Sequence, residues 1–354
     1  MAIALLVFSN AKKHQKNDLQ KQLKIGIALP LTGPAASFGE ETRRGAEIAL
    51  DEINNQADNI KVIFEDTSLD SKKAVDAANK LVKIDGVSAL VVSAYSEAAA
   101  THQIADSANI PTLALWDSNP ELEAMGDKVF ALGPWTPASG EVTAEFAYKN
   151  GASKAAIFGY VQEWSKAVSD AFKDKFIALG GAITAVDFSS PGATDYKTQL
   201  TKIVASDPDV IYMTTEDFFL GVKQLKNLGY KKSILTSDLL DNGQIEQSPK
   251  LFEGIYGSQV ADPESSETSH YIDLYKNKFR ESPKKVLYGA WGYDSIHLLY
   301  KSYNDSTTKN IINGLYSISY QGASGKIKFN ENGSSKTIPK MFVVKNSSIT
   351  KVDY

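Results

Sequence analysis

Three acidic residues stand two or three residues after short apolar runs: Asp117 after Thr112–Leu115, Glu216 after Val210–Met213 and Asp238 after Ser233–Thr236. Such runs read as strands, and in open α/β sheets small ligands bind at the carboxyl ends of strands. Carboxylates desolvated there need a positive partner. Large aromatics hold comparable positions. Trp116 precedes Asp117, Trp164 follows the run Ala155–Tyr160, Phe38 follows Leu23–Leu29, and Tyr288 adds a further ring. An aromatic face beside a carboxylate suits a cationic or aromatic amine. Ser96 lies between the run ending near Ser93 and a helix starting near Glu97. Its hydroxyl and the neighbouring free N–H groups can meet a carboxylate, or the hydroxyl can simply cap the helix. The plainer reading of the rest is also open: two of the acids cap helices or face water, and the aromatics pack the core.

These residues need a scaffold of alternating strands and helices, and the chain supplies one. Leu23–Leu29 has the length and apolar content of a buried parallel strand, and Gly33-Pro34 ends it. Ser37 and Glu40 have capping-box spacing for a helix running on to Ile53. Further strands are expected at Ile60–Glu65, Ala89–Val92, Thr112–Leu115, Ala155–Tyr160, Ile183–Phe188, Val210–Met213 and Ser233–Thr236. Amphipathic helices are expected at Ser71–Ile84, Glu97–Ala108, Trp164–Leu179 and Thr194–Ala205. This βαβ rhythm predicts parallel sheets.

Two punctuated stretches, Gly133–Pro137 and Gln259–Ser266, break the rhythm and read as crossovers. After the second come helices over Thr268–Arg280 and Val286–Tyr303, then a strand pair around Met341–Val344 and Ile349–Val352. The expected fold class is therefore α/β, with two Rossmann-like lobes joined by a multi-strand hinge. Residues 22–134 with 261–335 make one lobe, and 135–260 with 336–354 the other. Residues 1–21 read as a signal remnant or tether, or equally as a native amino terminus.

With 354 residues and 43% apolar content, the chain can bury two cores. A net charge of −4 with interspersed signs offers no basic surface for nucleic acid. The absence of cysteine excludes a disulfide scaffold and a thiolate nucleophile. His14, His102, His270 and His297 show no metal-ligand spacing. No phosphate loop or nucleophile elbow appears, so neither a cofactor, a metal nor an enzymatic reaction is expected.

Several motifs in order resemble one family: Leu31-Thr-Gly-Pro34 with Phe38-Gly39, Gly45–Leu50, Asp66–Asp70, Ala74–Leu81, Ser118–Leu122, Gly292-Tyr-Asp294, and Gly325–Phe329 with Gly333. Over about residues 22–354 the chain resembles the solute-binding proteins of branched-chain amino acid ABC transporters, with the type I periplasmic-binding-protein fold. The resemblance implies a ligand-carboxylate contact at Ser96, a ligand ammonium contact at Asp238, and aromatic contacts at Phe38 and Trp164. Trp116-Asp117-Ser118 stands where the family has small residues and a threonine, so the pocket departs from a plain aliphatic amino-acid site.

The same resemblance implies an extracytoplasmic receptor, periplasmic or extracellular, with a membrane tether at its amino terminus left open. It would bind an amino acid or related small polar molecule and deliver it as a monomer to ABC permease subunits. A cationic or aromatic amine is the alternative ligand. A sensory receptor domain of the same fold is the alternative role.

Overall fold

A computed structural model describes residues 22–57, 60–215, 217–239, 245, 248–303 and 308–353. The reading of residues 1–21 as a signal remnant or tether, and the acid Glu216, lie outside the described residues.

The first sheet has the order β2-β1-β3-β4-β5, from β1 (Leu23–Leu29), β2 (Ile60–Asp66), β3 (Ala89–Val92), β4 (Thr112–Ala114) and β5 (Val129–Ala131). All its pairings are parallel. β1 is central because all but one of its residues are buried, which only a strand covered on both faces tolerates. Between these strands run α1 (Ala36–Ala57), α2 (Ser71–Asn79) with a π-helical continuation over Lys80–Ile84, α3 (Tyr95–Ser107) and the short α4 (Pro120–Glu123).

The second sheet has seven strands in the order β14-β13-β10-β9-β8-β6-β7. They are β6 (Lys154–Tyr160), β7 (Ala182–Ser189), β8 (Val210–Thr214), β9 (Ser233–Ser237), β10 (Tyr256–Gln259), β13 (Lys340–Lys345) and β14 (Ser348–Lys351). α5 (Thr136–Lys149), α6 (Glu163–Ala178), α7 (Lys197–Ala205), α8 (Phe218–Asn227) and α9 (Pro249–Phe252) accompany it. Its β6–β10 part repeats the order of the first sheet, with β6 in the place of β1. The expectation of purely parallel sheets fails at one edge: β13 runs antiparallel to both β10 and β14. A short hairpin connection from β13 forces β14 back along it.

The chain passes between the two sheets three times. β5 leads into α5 through residues 132–135, β10 leads to α10 (Ser266–Phe279) through residues 260–265, and residues 328–339 lead from β12 (Gly325–Ile327) to β13. The backbone bridge Pro134–Thr337 joins the first and third passages, Ala131–Ser334 ties the third to the end of β5, and Ser118–Trp135 ties the first to the loop after β4. After α10 come α11 (Val286–Ser302), α12 (Thr308–Ser317) and the hairpin of β11 (Tyr320–Gly322) with β12. All of these contribute to the core on the first sheet, which joins Ile25, Ile27 and Leu29 to Tyr271, Leu287, Trp291, Leu299, Leu315 and Ile327.

α1 and α11 pack along much of their length. Gly45 of α1 lies against the carbonyl of Gly289, and Gly292 of α11 against the carbonyl of Thr42, so the two backbones touch where a side chain would hold them apart. Asp294, just past this crossing, is fully buried. Its carboxylate accepts the Ala323 N–H at 2.9 Å, the Ser324 N–H at 2.8 Å and the Ser324 hydroxyl at 2.5 Å, fastening α11 to the β11–β12 turn. His270 and His297, which lack metal-ligand spacing, both approach Glu52, at 3.5 and 3.3 Å, and so join α10 and α11 to α1.

Candidate functional site

In a sheet of this order the loops after the first and third strands diverge and leave a crevice between them. In the first sheet these are the loops after β1 and β3, and in the second those after β6 and β8. Phe38 and Ser96 follow β1 and β3, and Trp164 follows β6. The loops after β4 and β9 carry Asp117 and Asp238.

The loop after β1 is fixed by Asp66 at the end of β2. Its carboxylate accepts the N–H groups of Leu31 at 2.8 Å and Thr32 at 3.1 Å, and the Thr32 hydroxyl at 2.5 Å. Partial burial works to raise its pKa, but these donors, with the Ser68 N–H, hold the carboxyl below the usual range. Asp66→Ala should cost about 1 to 2 kcal/mol, since several N–H donors lose an acceptor at an exposed site, and the loop before Phe38 should gain amide exchange. Unfolding in urea and hydrogen exchange check this; protection unchanged at Leu31 and Thr32 would contradict it.

Beyond that loop the helix begins at Ala36, whose N–H bonds the Gly33 carbonyl at 3.2 Å. Ser37 is therefore inside the helix and not its cap, and Glu40 pairs with Arg43 at 2.7 Å and Arg44 at 3.0 Å instead of completing a capping box.

The structure brings Phe38, Trp116 and Tyr288 into one aromatic corner. Ring centroids are 4.7 Å apart for Phe38–Tyr288, 5.1 Å for Trp116–Tyr288 and 6.2 Å for Phe38–Trp116. The Trp116 indole N–H donates to the Thr42 hydroxyl at 3.1 Å, which sets its plane. The ammonium of Lys285 lies 3.9 Å from the centre of the Phe38 ring, so this corner already holds one cation of the chain.

The plainer reading of Ser96 as a helix cap does not hold. Ala94 is the N-cap of α3, with no side-chain hydrogen bond, and Ser96 is the second helical residue, half-buried. Asp117, also half-buried, accepts the Tyr95 N–H at 3.0 Å through its Oδ1. Burial pushes its pKa up to about 7, and the charges of Glu163 and Glu97 add to this. Glu163 begins α6 beside the second sheet, so part of this charge effect comes from the other lobe.

Ser118 is fully buried; its hydroxyl is shared with that of Ser334, and its N–H reaches the Pro134 carbonyl at 3.1 Å. It is tied to the passages between the lobes, and its hydroxyl is taken up by Ser334.

On the second lobe, Trp164 is half-buried and packs against the core around Phe172 and Tyr212. Gln162 caps α6 by accepting the Ser165 N–H at 3.2 Å. Asp238 follows β9 with φ of 55°, a left-handed conformation that aspartate tolerates better than most residues. Its N–H donates to the Ser258 carbonyl at 2.8 Å, and burial pushes its pKa up to about 7. A separate cavity of about 560 Å³, lined among others by Lys226, Tyr230, Lys232 and Glu253, lies at the opposite end of β9.

Residues not anticipated from sequence are Tyr95, Ser93 and Glu97 at the start of α3, Glu163 across from it, and Lys285 over Phe38. Glu97 is fully buried, and its Oε2 accepts the Ser93 N–H at 3.0 Å and the Ser93 hydroxyl. The four-residue spacing of Ser93 and Glu97 was the available signal; the pairing of Tyr95 with Asp117 had none, because 22 residues separate them.

A sequence profile described as periplasmic binding protein matches residues 22–348. The Leu/Ile/Val-binding protein homolog 3 of Brucella melitensis biotype 1 is 29% identical over 231 residues, 62% of this chain and 62% of that protein. The Leu/Ile/Val-binding protein BraC3 of Rhizobium johnstonii is 31% identical over 229 residues, again 62% of each. The chain thus matches less than two thirds of the length of these relatives. The crystal structure of a leucine binding protein, LivK, from Thermotoga maritima superposes with a TM-score of 0.80 at 27% identity, covering 94% of this chain and 98% of that one. LivJ from Streptococcus pneumoniae, solved with isoleucine, shares the fold with a TM-score of 0.82 at 23% identity, covering 94% and 99%. With two doubly wound sheets, three passages between them and a profile match over most of its length, the chain belongs to the periplasmic binding protein family.

Proposed function

We propose that this protein is the extracytoplasmic, non-enzymatic solute receptor of an ABC transporter, and that it holds a small polar organic molecule between its lobes for delivery to the permease as a monomer. The observation that carries this reading is the placement of Phe38, Ser96 and Asp117 after strands of one sheet and of Trp164 and Asp238 after the corresponding strands of the other. Polar and aromatic groups of Phe38, Ser96, Trp116 and Asp117 supply one half of the site, and Trp164 and Asp238 the other. Glu216 is proposed for the second half on its sequence position alone. Each half leaves these groups partly wet, so a ligand touching both favours the closed arrangement and shifts the population toward it. The family relation supports an extracytoplasmic location; no described helix is long and apolar enough to cross a membrane.

Small-angle scattering with and without solute tests this directly. Leucine, isoleucine, benzoate, aliphatic amines and choline form the first panel. At least one should reduce the radius of gyration, and at about 100 times its dissociation constant it should add about 2.7 kcal/mol of stability. Turnover of a bound solute, or binding that leaves the scattering profile unchanged, would overturn the proposal.

A further inference from the structure

α3 starts in the crevice of the first sheet with Ala94, which offers no capping side chain. A helix end of this kind ordinarily receives an anion, because its first amides point outward and the peptide dipoles favour negative charge. In this chain the place is filled from within. Asp117 arrives from the end of β4 and accepts the Tyr95 N–H at 3.0 Å. Glu97 folds back from the first turn and takes the Ser93 N–H at 3.0 Å together with the Ser93 hydroxyl. A carboxylate from a ligand would have to displace one of these and lie beside the negative charge of both.

The surroundings of Asp117 favour the opposite charge. Glu163 approaches from the second lobe, and among the described residues no lysine, arginine or histidine pairs with Asp117. A buried carboxylate near a like charge either takes up a proton or draws in a cation. Trp116, adjacent in the chain, belongs to a corner where Phe38 already attracts the Lys285 ammonium at 3.9 Å.

We infer that Asp117 decides the charge of the ligand: by holding the Tyr95 amide it excludes a ligand carboxylate, and by setting its own carboxylate next to the Trp116 ring it selects an organic amine that carries no carboxyl group. The inference rests on the solute-receptor reading and narrows it. The contrary arrangement, in which Lys285 attracts a ligand carboxylate, would make amino acids the better ligands.

Matched pairs that differ only in the carboxyl group separate the two: leucine and 3-methylbutylamine, phenylalanine and phenethylamine, ornithine and putrescine. Isothermal titration at about pH 8, where Asp117 is ionised, compares them on the wild type, Asp117→Asn and Asp117→Ser. In at least one pair the amine should bind the wild type about tenfold or more tightly than its amino acid. Asp117→Asn keeps an oxygen for the Tyr95 amide but not the charge, so it should lose about tenfold or more for the amine and gain nothing for the amino acid. Asp117→Ser frees the amide and should gain about tenfold for the amino acid. A wild type that prefers the amino acids, binding of no amine in any pair, or an Asp117→Asn protein that binds the amine unchanged overturns the inference. If Asp117→Ser does not fold, the asparagine variant decides alone. Lobe closure with an amino acid or benzoate, while the amines stay silent, removes this inference and leaves the receptor reading standing.

Discussion

Replacing Gly292 with alanine is expected to lower stability by about 3 kcal/mol, at the upper end of overpacking costs. The added methyl group would overlap the Thr42 carbonyl, a backbone atom of α1 that cannot rotate away, and Gly45 meets the Gly289 carbonyl in the same way one turn along. The only relief is to push α1 and α11 apart, which loosens the core from Ala46 to Leu299. The effect should extend to ligand binding. Phe38 sits near the start of α1 and Tyr288 near the start of α11, so the 4.7 Å contact between their rings depends on the spacing of those helices. Thermal denaturation of Gly292→Ala should show a drop of roughly 5 to 10 °C, and titration a weaker affinity for any solute that closes the wild type. A variant that melts with the wild type would mean that the helix pair tolerates re-spacing and that the close approach is incidental.

The second large effect concerns pH. Burial pushes the carboxyls of Asp117 and Asp238 up to about 7 and that of Asp294 up to about 6, the last despite four hydrogen-bond donors. Unfolded aspartates titrate near 3.9. Between about pH 4 and 7 the folded protein therefore binds more protons than the unfolded chain, and its stability falls as pH rises through that window. His297 works the other way: burial holds its pKa below the ordinary value, so it withdraws stability as pH falls below about 6.5. These acids, together with Glu41 and Glu97, whose pKa values burial also raises, outweigh one histidine.

Lowering the pH of the empty protein from about 7.5 to 5 should thus raise its stability by on the order of 2 kcal/mol, after discounting Asp117 and Asp238 for their access to solvent. Denaturant titrations across that range check the sign. Asp238→Asn should flatten part of the slope, and a cation bound in the cleft should reverse it by favouring the ionised acids. Stability that falls steadily on acidification would show that these carboxyls are already charged at neutral pH.

The main elements were legible because burial dictates them. Leu23–Leu29 was bounded to the residue, since an apolar run covered on both faces has few other uses. The α11 expectation, Val286–Tyr303, overshot by only one residue because nearly every side chain of that helix is buried. The starts of α1 and α3 were not legible. Serines at Ser37 and Ser96 suggested local caps, but the Gly33 carbonyl bonds the first N–H of α1 and the distant Asp117 that of α3. No spacing rule reaches across 22 residues. α5 was missed because Gly133–Pro137 reads as a passage, when its last two residues already form the first turn of the helix. The strand pair β13–β14 is readable as part of the second lobe, but its antiparallel pairing with β10 is not, since direction is set by the return of the chain after residue 334.

In the site, the strand-end positions of Asp117 and Asp238 were recoverable, and their raised pKa values were not, because desolvation depends on what packs around them. Ser118 shows the reverse. Its position looked open in the sequence, and Ser334, more than two hundred residues later, closes it.

The threefold passage between the sheets also governs how the molecule is made. The first sheet is complete by residue 131, yet the core laid on it waits for α10, α11, α12 and the hairpin that ends at Ile327. The second sheet waits longer still, for β13 and β14 at residues 340–351. The first half can therefore mature only after the chain has passed residue 327, and a stop codon between residues 266 and 327 would leave two unfinished halves instead of one intact lobe and one absent.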